Sequence, residues 1–269
     1  MKKYRPLLPY LVLAGLVLAI ALFAPFLVPQ DPYAQNLEGA LAPPGAMNLL
    51  GTDRYGRDLL SRVILGSQTT VLSSLLLLTS IVVTGGIIGT ICGIKGGRVD
   101  DFLMRTGDVF LAFPQMVFAI AAAGALGGGL FYAAMALAVI GWPKYARITR
   151  SLTLSIRRMP YMEAARMAGT ATPGLIWHHI LPNVAGPVLV TAALDMGTII
   201  MELAGLSFLG LGAQPPTAEW GAMMSNGRSK LQTAPWVILA PGGAIFLTVA
   251  VFNLLGDKLR DVLDPRQVK

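Results

Sequence analysis

Apolar runs long enough to cross a bilayer recur along the 269-residue sequence, and they restrict it more than any other feature. Leu7 to Val28 is almost uniformly apolar, matching the roughly 20 helical residues that about 30 Å of hydrocarbon requires. Inside lipid the backbone must satisfy its own polar groups, so such runs are read as helices. Composition agrees: 54% hydrophobic, 13% charged and a mean hydropathy of +0.63 are values of a membrane protein. A secretory signal peptide is the alternative for the first run, but the run is long for one, and Pro25 follows the plausible small-residue site at Ala24.

Further spans are expected at Gln68 to Ile94, about Val109 to Leu126 with Pro114 as a tolerated kink, Leu130 to Trp142, Val188 to Leu211, and about Trp236 to Leu255. The expectation is therefore an all-α polytopic fold of six transmembrane helices. In the second run Gly85, Gly89 and Gly93 recur every four residues, lining one helix face for close backbone packing. Pro29 to Ser67 reads as a turn-rich connector whose alternating acids and bases make solvated pairs, with a substrate-facing lip as the other option. Pro143 to Pro187 is the longest polar interruption, Gly212 to Pro235 a Gly/Pro-containing loop, and Gly256 to Lys269 a short charged tail.

The distribution of charge sets an orientation. The net charge of +7 is spread between apolar segments, unlike the basic face of a nucleic-acid-binding module. All but five of the 21 Lys and Arg fall before span one or in alternate loops, and the five exceptions are Arg54, Arg57, Arg62, Arg228 and Lys230. By the positive-inside rule both termini face the cytoplasm.

Asp195 and Glu202 are the acids expected within a span, and seven residues is nearly two turns, so both project from one face. Intramembrane charges are costly and mark substrate paths, with a buried polar contact as the alternative. Met201 and Phe208 lie in the same stretch as candidate path residues. A soft-metal site built from Met196, Met201, Met223 and Met224 competes with ordinary packing, which flexible Met serves well. Adjacent His178 and His179 point about 100° apart on a helix and do not chelate as an i, i+4 pair does. Cys92 stands alone, so it forms neither an internal disulfide nor a thiolate site. Gly205 to Gly210 lacks the hydrolase Gly-x-Ser-x-Gly spacing, and the chain has no Gly-x-x-x-x-Gly-Lys-Ser/Thr phosphate loop. It carries no expected catalytic residue, metal site or cofactor of its own, and any ATP is bound by another chain.

Within the long polar stretch, Tyr161 to Ala168 predicts a short helix ended by Gly169 in a left-handed conformation. A second follows from Thr172 as N-cap and Pro173 at the first position, with Leu175, Ile176, Ile180 and Leu181 as its apolar stripe and Pro182 as its stop.

Glu163-Ala164-Ala165, three residues, Gly169, and later Leu181-Pro182 resemble the cytoplasmic loop of the membrane subunits of binding-protein-dependent ABC importers. One departure is His179 where that pattern has isoleucine, with Ile180 one place later. Leu50 to Asp53 with Gly56 to Asp58, Asp108 to Pro114, Leu206 to Gly212, Glu219 to Gly221 and the Asp257 to Pro265 segment are similar to the dipeptide, oligopeptide and nickel permeases, in their C-type subunit. The resemblance implies a type I importer permease architecture in a bacterial inner membrane, with an N-terminal helix and outer loop (1–67) preceding five core helices (68–269). It implies that Glu163, Ala164, Ala165, Arg166, Gly169, Leu181 and Pro182 dock an ATPase. It also implies a second, related permease subunit, two ATPase subunits carrying ATP and Mg, and an extracytoplasmic binding protein. The cargo stays open among dipeptides, longer peptides, nickel and metal chelates, and the 217–221 region looks like nickel-type members. A stand-alone secondary carrier and a non-transporting scaffold are the competing classes.

Overall fold

The computed structural model describes residues 6–263, all of whose regular structure is helical apart from a single bridge between Thr52 and Asp58. Lys2, Lys3, Arg5, Asp264, Pro265, Arg266 and Lys269 lie outside the described residues. Helix α1 covers Leu8–Leu27. Its buried residues are Ala14, Ala21 and Ala24, whereas Leu16 and Phe26 are exposed. A helix buried along a narrow alanine stripe and leucine-rich elsewhere is built for lipid, where exposed leucine carries no penalty.

Helix α2 (Leu59–Ser67) passes through a π turn at 68–72 into α3 (Ser73–Lys95), so 37 residues run as one helix. The expected second span thus begins nine residues earlier than apolarity alone marks it. Asp58 sets the start, its side chain accepting from Ser61 N–H at 2.8 Å. Helix α4 (Gly97–Leu111) and α5 (Gln115–Ala125) meet at Pro114 with an 88° bend. The expected span at Val109 to Leu126 is therefore broken, not kinked. Proline disfavours the α conformation in the residue before it, which accounts for the break.

Several other prolines lie within helices. Helix α6 (Leu130–Arg157) continues through Pro143, where a span ending at Trp142 was expected. After α7 (Pro160–Met167) and α8 (Thr172–Leu175), a π turn at 176–180 leads into α9 (Leu181–Phe208). Pro182, the expected stop, lies just inside that helix, because the wider π turn relieves the contact between a proline ring and the preceding turn. Asn183 Nδ2 donates to His179 O at 2.6 Å, satisfying a carbonyl there. Helix α10 (Trp220–Gly227) is short, and α11 (Trp236–Leu263) extends eight residues beyond the expected end at Leu255. Four helical runs are long and apolar enough to span a membrane, or five if α4 and α5 count as one; α6, with Lys144, Arg147, Arg150 and Arg157, falls outside that criterion.

The tightest seam joins α3 to α6. A Cβ on Gly85 would lie 2.6 Å from Trp142 O, one on Gly89 2.8 Å from Thr149 Cβ, and one on Gly93 2.6 Å from Thr153 Cβ. The expected glycine face is thus in backbone contact with its neighbour. Arg157 Nη1 donates to Ile94 O at 2.9 Å, closing the end of α3. Arg150 clasps Asp100 of α4 with two bonds of 2.5 Å, and Arg147 pairs with Asp108.

Four charges of the 29–67 connector are withdrawn from solvent, whereas Asp31, Glu38 and Arg54 are exposed as expected. Asp53, Arg57, Asp58 and Arg62 are all at most 6% exposed. Arg57 Nε reaches Asp53 Oδ2 at 2.7 Å, and Arg62 donates to Pro32 O at 3.0 Å. Polar groups this buried persist only when paired, so the connector is a folded cap over α2. Glu219, fully buried, joins α10 to the same region. It accepts from Gly221 N–H at 3.0 Å, Ala222 N–H at 2.8 Å and Thr70 Oγ1 at 3.1 Å. Burial pushes its carboxyl above the ordinary 4.5, opposed by those bonds.

Gly89→Leu is expected to destabilise the chain by about 3 kcal/mol through overpacking, whereas Gly86→Leu, with nothing within 4 Å, leaves it unchanged. Thermal unfolding of the detergent-solubilised protein compares the two. Glu219→Gln offers the backbone one acceptor oxygen instead of two, and is expected to cost about 1–3 kcal/mol near pH 7. The folded chain protonates Glu219 more readily than the unfolded one, so wild-type stability relative to the variant rises as pH falls from neutrality toward 4.5. Denaturation midpoints across that range measure the slope.

Candidate functional site

Continuation of α6 past Pro143 places Lys144 and Tyr145 within a helix that packs on α9. Lys144 Nζ lies 2.8 and 2.7 Å from the two carboxylate oxygens of Asp195, and Tyr145 Oη donates to Asp195 Oδ2 at 2.8 Å. Two turns along α9, Glu202 accepts from Gln115 Nε2 of α5 at 2.9 Å. These groups share a cavity of about 410 Å³, walled by Ile81, Ile140 and Ile199 among other apolar residues. The cavity is large enough for a small ligand, with few polar groups on an apolar lining.

Asp195 and Glu202 thus face one cavity, as their spacing requires. Met201 does not line it and is 59% exposed; Phe208, at the end of α9, is half-buried and also outside it. Met196 and Met223 are buried packing residues. Among the described residues no group of three His, Cys, Asp or Glu is arranged to hold a metal. Lys144, Tyr145 and Gln115 were missed in the sequence because Pro143 read as the end of a helix and Pro114 as a kink within one. The signal that could have found Lys144 is the pairing rule: an intramembrane acid such as Asp195 needs a cationic partner.

The second candidate site is the elbow between α6 and α9. Gly169 adopts φ +79°, with Gly169 N–H donating to Arg166 O at 3.0 Å and Thr170 N–H to Ala165 O at 3.1 Å. This left-handed residue ends α7 as the sequence predicts. The next helix starts with Ala171 as N-cap, one residue ahead of the expected Thr172. Met162, Leu175 and Ile180 are buried and anchor the elbow beneath Ile94 and Arg157. Glu163, Ala164, Arg166, Gly169, Leu181 and Pro182 are exposed, and Ala165 is half-buried. Met167 and Trp177, 89% and 68% exposed, add apolar area to this polar surface.

Replacing Lys144 by Gln and Asp195 by Asn, singly and together, is expected to reveal a favourable coupling of about 1 kcal/mol. The combined variant then melts at a higher temperature than the sum of the single losses predicts.

Residues 85–269 match the family described as binding-protein-dependent transport system inner membrane component. The chain is 43% identical over 255 residues to the probable D,D-dipeptide transport system permease protein DdpC of Escherichia coli (strain K12), covering 95% of this chain and 86% of that one. It is 39% identical to the dipeptide transport system permease protein DppC of Alkalihalophilus pseudofirmus, covering 99% and 88%. It is also 39% identical to the nickel transport system permease protein NikC of E. coli (strain K12), covering 96% and 93%. Among solved structures, an inward-facing MetNI methionine ABC transporter superposes with a TM-score of 0.58 at 18% identity, over 77% of this chain and 98% of that one. That likeness concerns the fold alone. With the family match spanning more than half its length, the chain belongs to the binding-protein-dependent transport system inner membrane components.

Proposed function

We propose that this chain forms half of the translocation path of an ATP-driven importer for di- or oligopeptides or for nickel or metal chelates. The observation that carries the reading is the pairing of two sites on one continuous helical run, Thr172 to Phe208: the exposed elbow at its start and the charged cavity along its length. A displacement of the elbow is carried by that helix to Asp195 and Glu202. ATP and Mg belong to two partner ATPase subunits that dock at Glu163, Ala164, Ala165, Arg166, Gly169, Leu181 and Pro182. A related second permease subunit completes the path, and a binding protein delivers cargo from outside. Closure of the ATPases rocks the spans from outward to inward opening, an alternating-access cycle.

In this reading the bent α4–α5 pair and α6 join the four long runs, giving six crossings of the bacterial inner membrane with both termini cytoplasmic. The basic residues of α4, α6 and the elbow support that orientation, and the loops Ala34 to Arg62 and Gly212 to Pro235 then face the binding protein. Relatives named for dipeptides and for nickel support both cargo classes. Glu163→Arg reverses charge on the exposed face of α7, and Gly169→Pro forbids its φ of +79°. Each is expected to cut ATP-dependent uptake by the assembled transporter at least tenfold while the chain still inserts in membranes; full uptake in either refutes the docking assignment.

A further inference from the structure

The charges of the cavity are not equally satisfied. Lys144 is held by both oxygens of Asp195, which also receives Tyr145. Arg147, on the rim, is paired with Asp108. Glu202 receives one bond, from the neutral amide of Gln115, and among the described residues no cation lies within ion-pair distance of it. A carboxylate can accept about four hydrogen bonds, so most of its capacity is unspent and faces the cavity. An ionisable group at membrane depth is costly unless it is paired, hydrated or taken up by something that passes through the cavity.

The surroundings indicate what that is. A divalent metal ion needs several hard or nitrogen and sulfur ligands converging on one point, and no such group of His, Cys, Asp or Glu exists among the described residues. Around Glu202 the cavity offers instead the neutral side chains of Gln115 and Thr198 and the apolar walls Ile140 and Ile199. One carboxylate, neutral oxygens and hydrocarbon suit an organic ammonium, which brings its own three donors and an apolar body. We infer that Glu202 receives the positively charged group of the cargo, and that this group is an organic ammonium such as a peptide's free N-terminus, not a bare metal ion. Asp195, already neutralised by Lys144, holds the cavity wall. The inference rests on the reading of the cavity as the translocation path.

The test uses the complete transporter in proteoliposomes, with ATP-dependent uptake of a mixed pool of di- and tripeptides read by mass spectrometry and of Ni²⁺ read by elemental analysis. Wild type is expected to import peptides, Glu202→Gln to lose at least tenfold of that uptake, and Glu202→Asp to recover to within about threefold of wild type. Assembly of each variant is checked by size exclusion; should Glu202→Gln fail to assemble, Glu202→Met carries the same expectation. Peptide uptake by Glu202→Gln at the wild-type rate overturns the inference and leaves the path reading standing. Import of Ni²⁺ alone, lost in Glu202→Gln, overturns the ammonium assignment. A wild-type complex that imports none of these, and neither longer peptides nor chelated Ni²⁺ when they are offered in the same assay, refutes the path reading itself.

Discussion

The backbone contact between α3 and α6 along Gly85, Gly89 and Gly93 is the constraint on which the rest of the structure depends. Lipid supplies no hydrophobic drive to bring helices together, so close packing must do so, and glycine lets two backbones approach within dispersion range over a long seam. Because the seam spans Trp142 to Thr153 of α6, it holds that helix in register across Pro143. A proline that would end an isolated helix in water is carried through by tertiary packing. Register in turn fixes Lys144 and Tyr145 toward α9, where Asp195 meets them, and places Arg147 and Arg150 against the acids of α4.

The same seam ends at the elbow. Arg157 caps α3, and the chain then turns through α7 with Met162, Leu175 and Ile180 buried under it. Three apolar side chains anchor this elbow and resist its local unfolding, and its exposed face carries Glu163, Arg166 and small residues. The π turn at 176–180 then passes the chain directly into α9, so the elbow and cavity are joined by helix instead of by a loop.

On the other side of the seam, buried polar groups do the work that apolar packing does elsewhere. Asp53, Arg57, Asp58 and Arg62 turn a polar connector into a cap, and Glu219 bonds the N-terminus of α10 to Thr70. Buried charges of this kind contribute specific geometry more than net stability, since desolvation offsets much of the attraction. Asp53, Asp58, Arg62 and Glu219 are each tied to backbone groups as well as to a partner side chain.

Local sequence sufficed wherever a property is carried by a few neighbouring residues. The apolar runs, the glycine face of α3, the left-handed stop at Gly169 and the shared face of Asp195 and Glu202 follow from hydropathy, helical period and backbone sterics, which act over a turn or two. The order of motifs from Leu50 to Pro265 likewise sufficed for the family. Where proline or charge was concerned, local rules failed, because their outcome depends on partners distant in the chain. Pro143 and Pro182 continue helices since packing and a π turn absorb them, whereas Pro114 breaks one by 88°. Arg62 is buried because Pro32, 30 residues away, is brought to it. Lys144 belongs to the cavity because the α3–α6 seam holds it opposite a carboxylate 51 residues away, a pairing that only the tertiary structure decides.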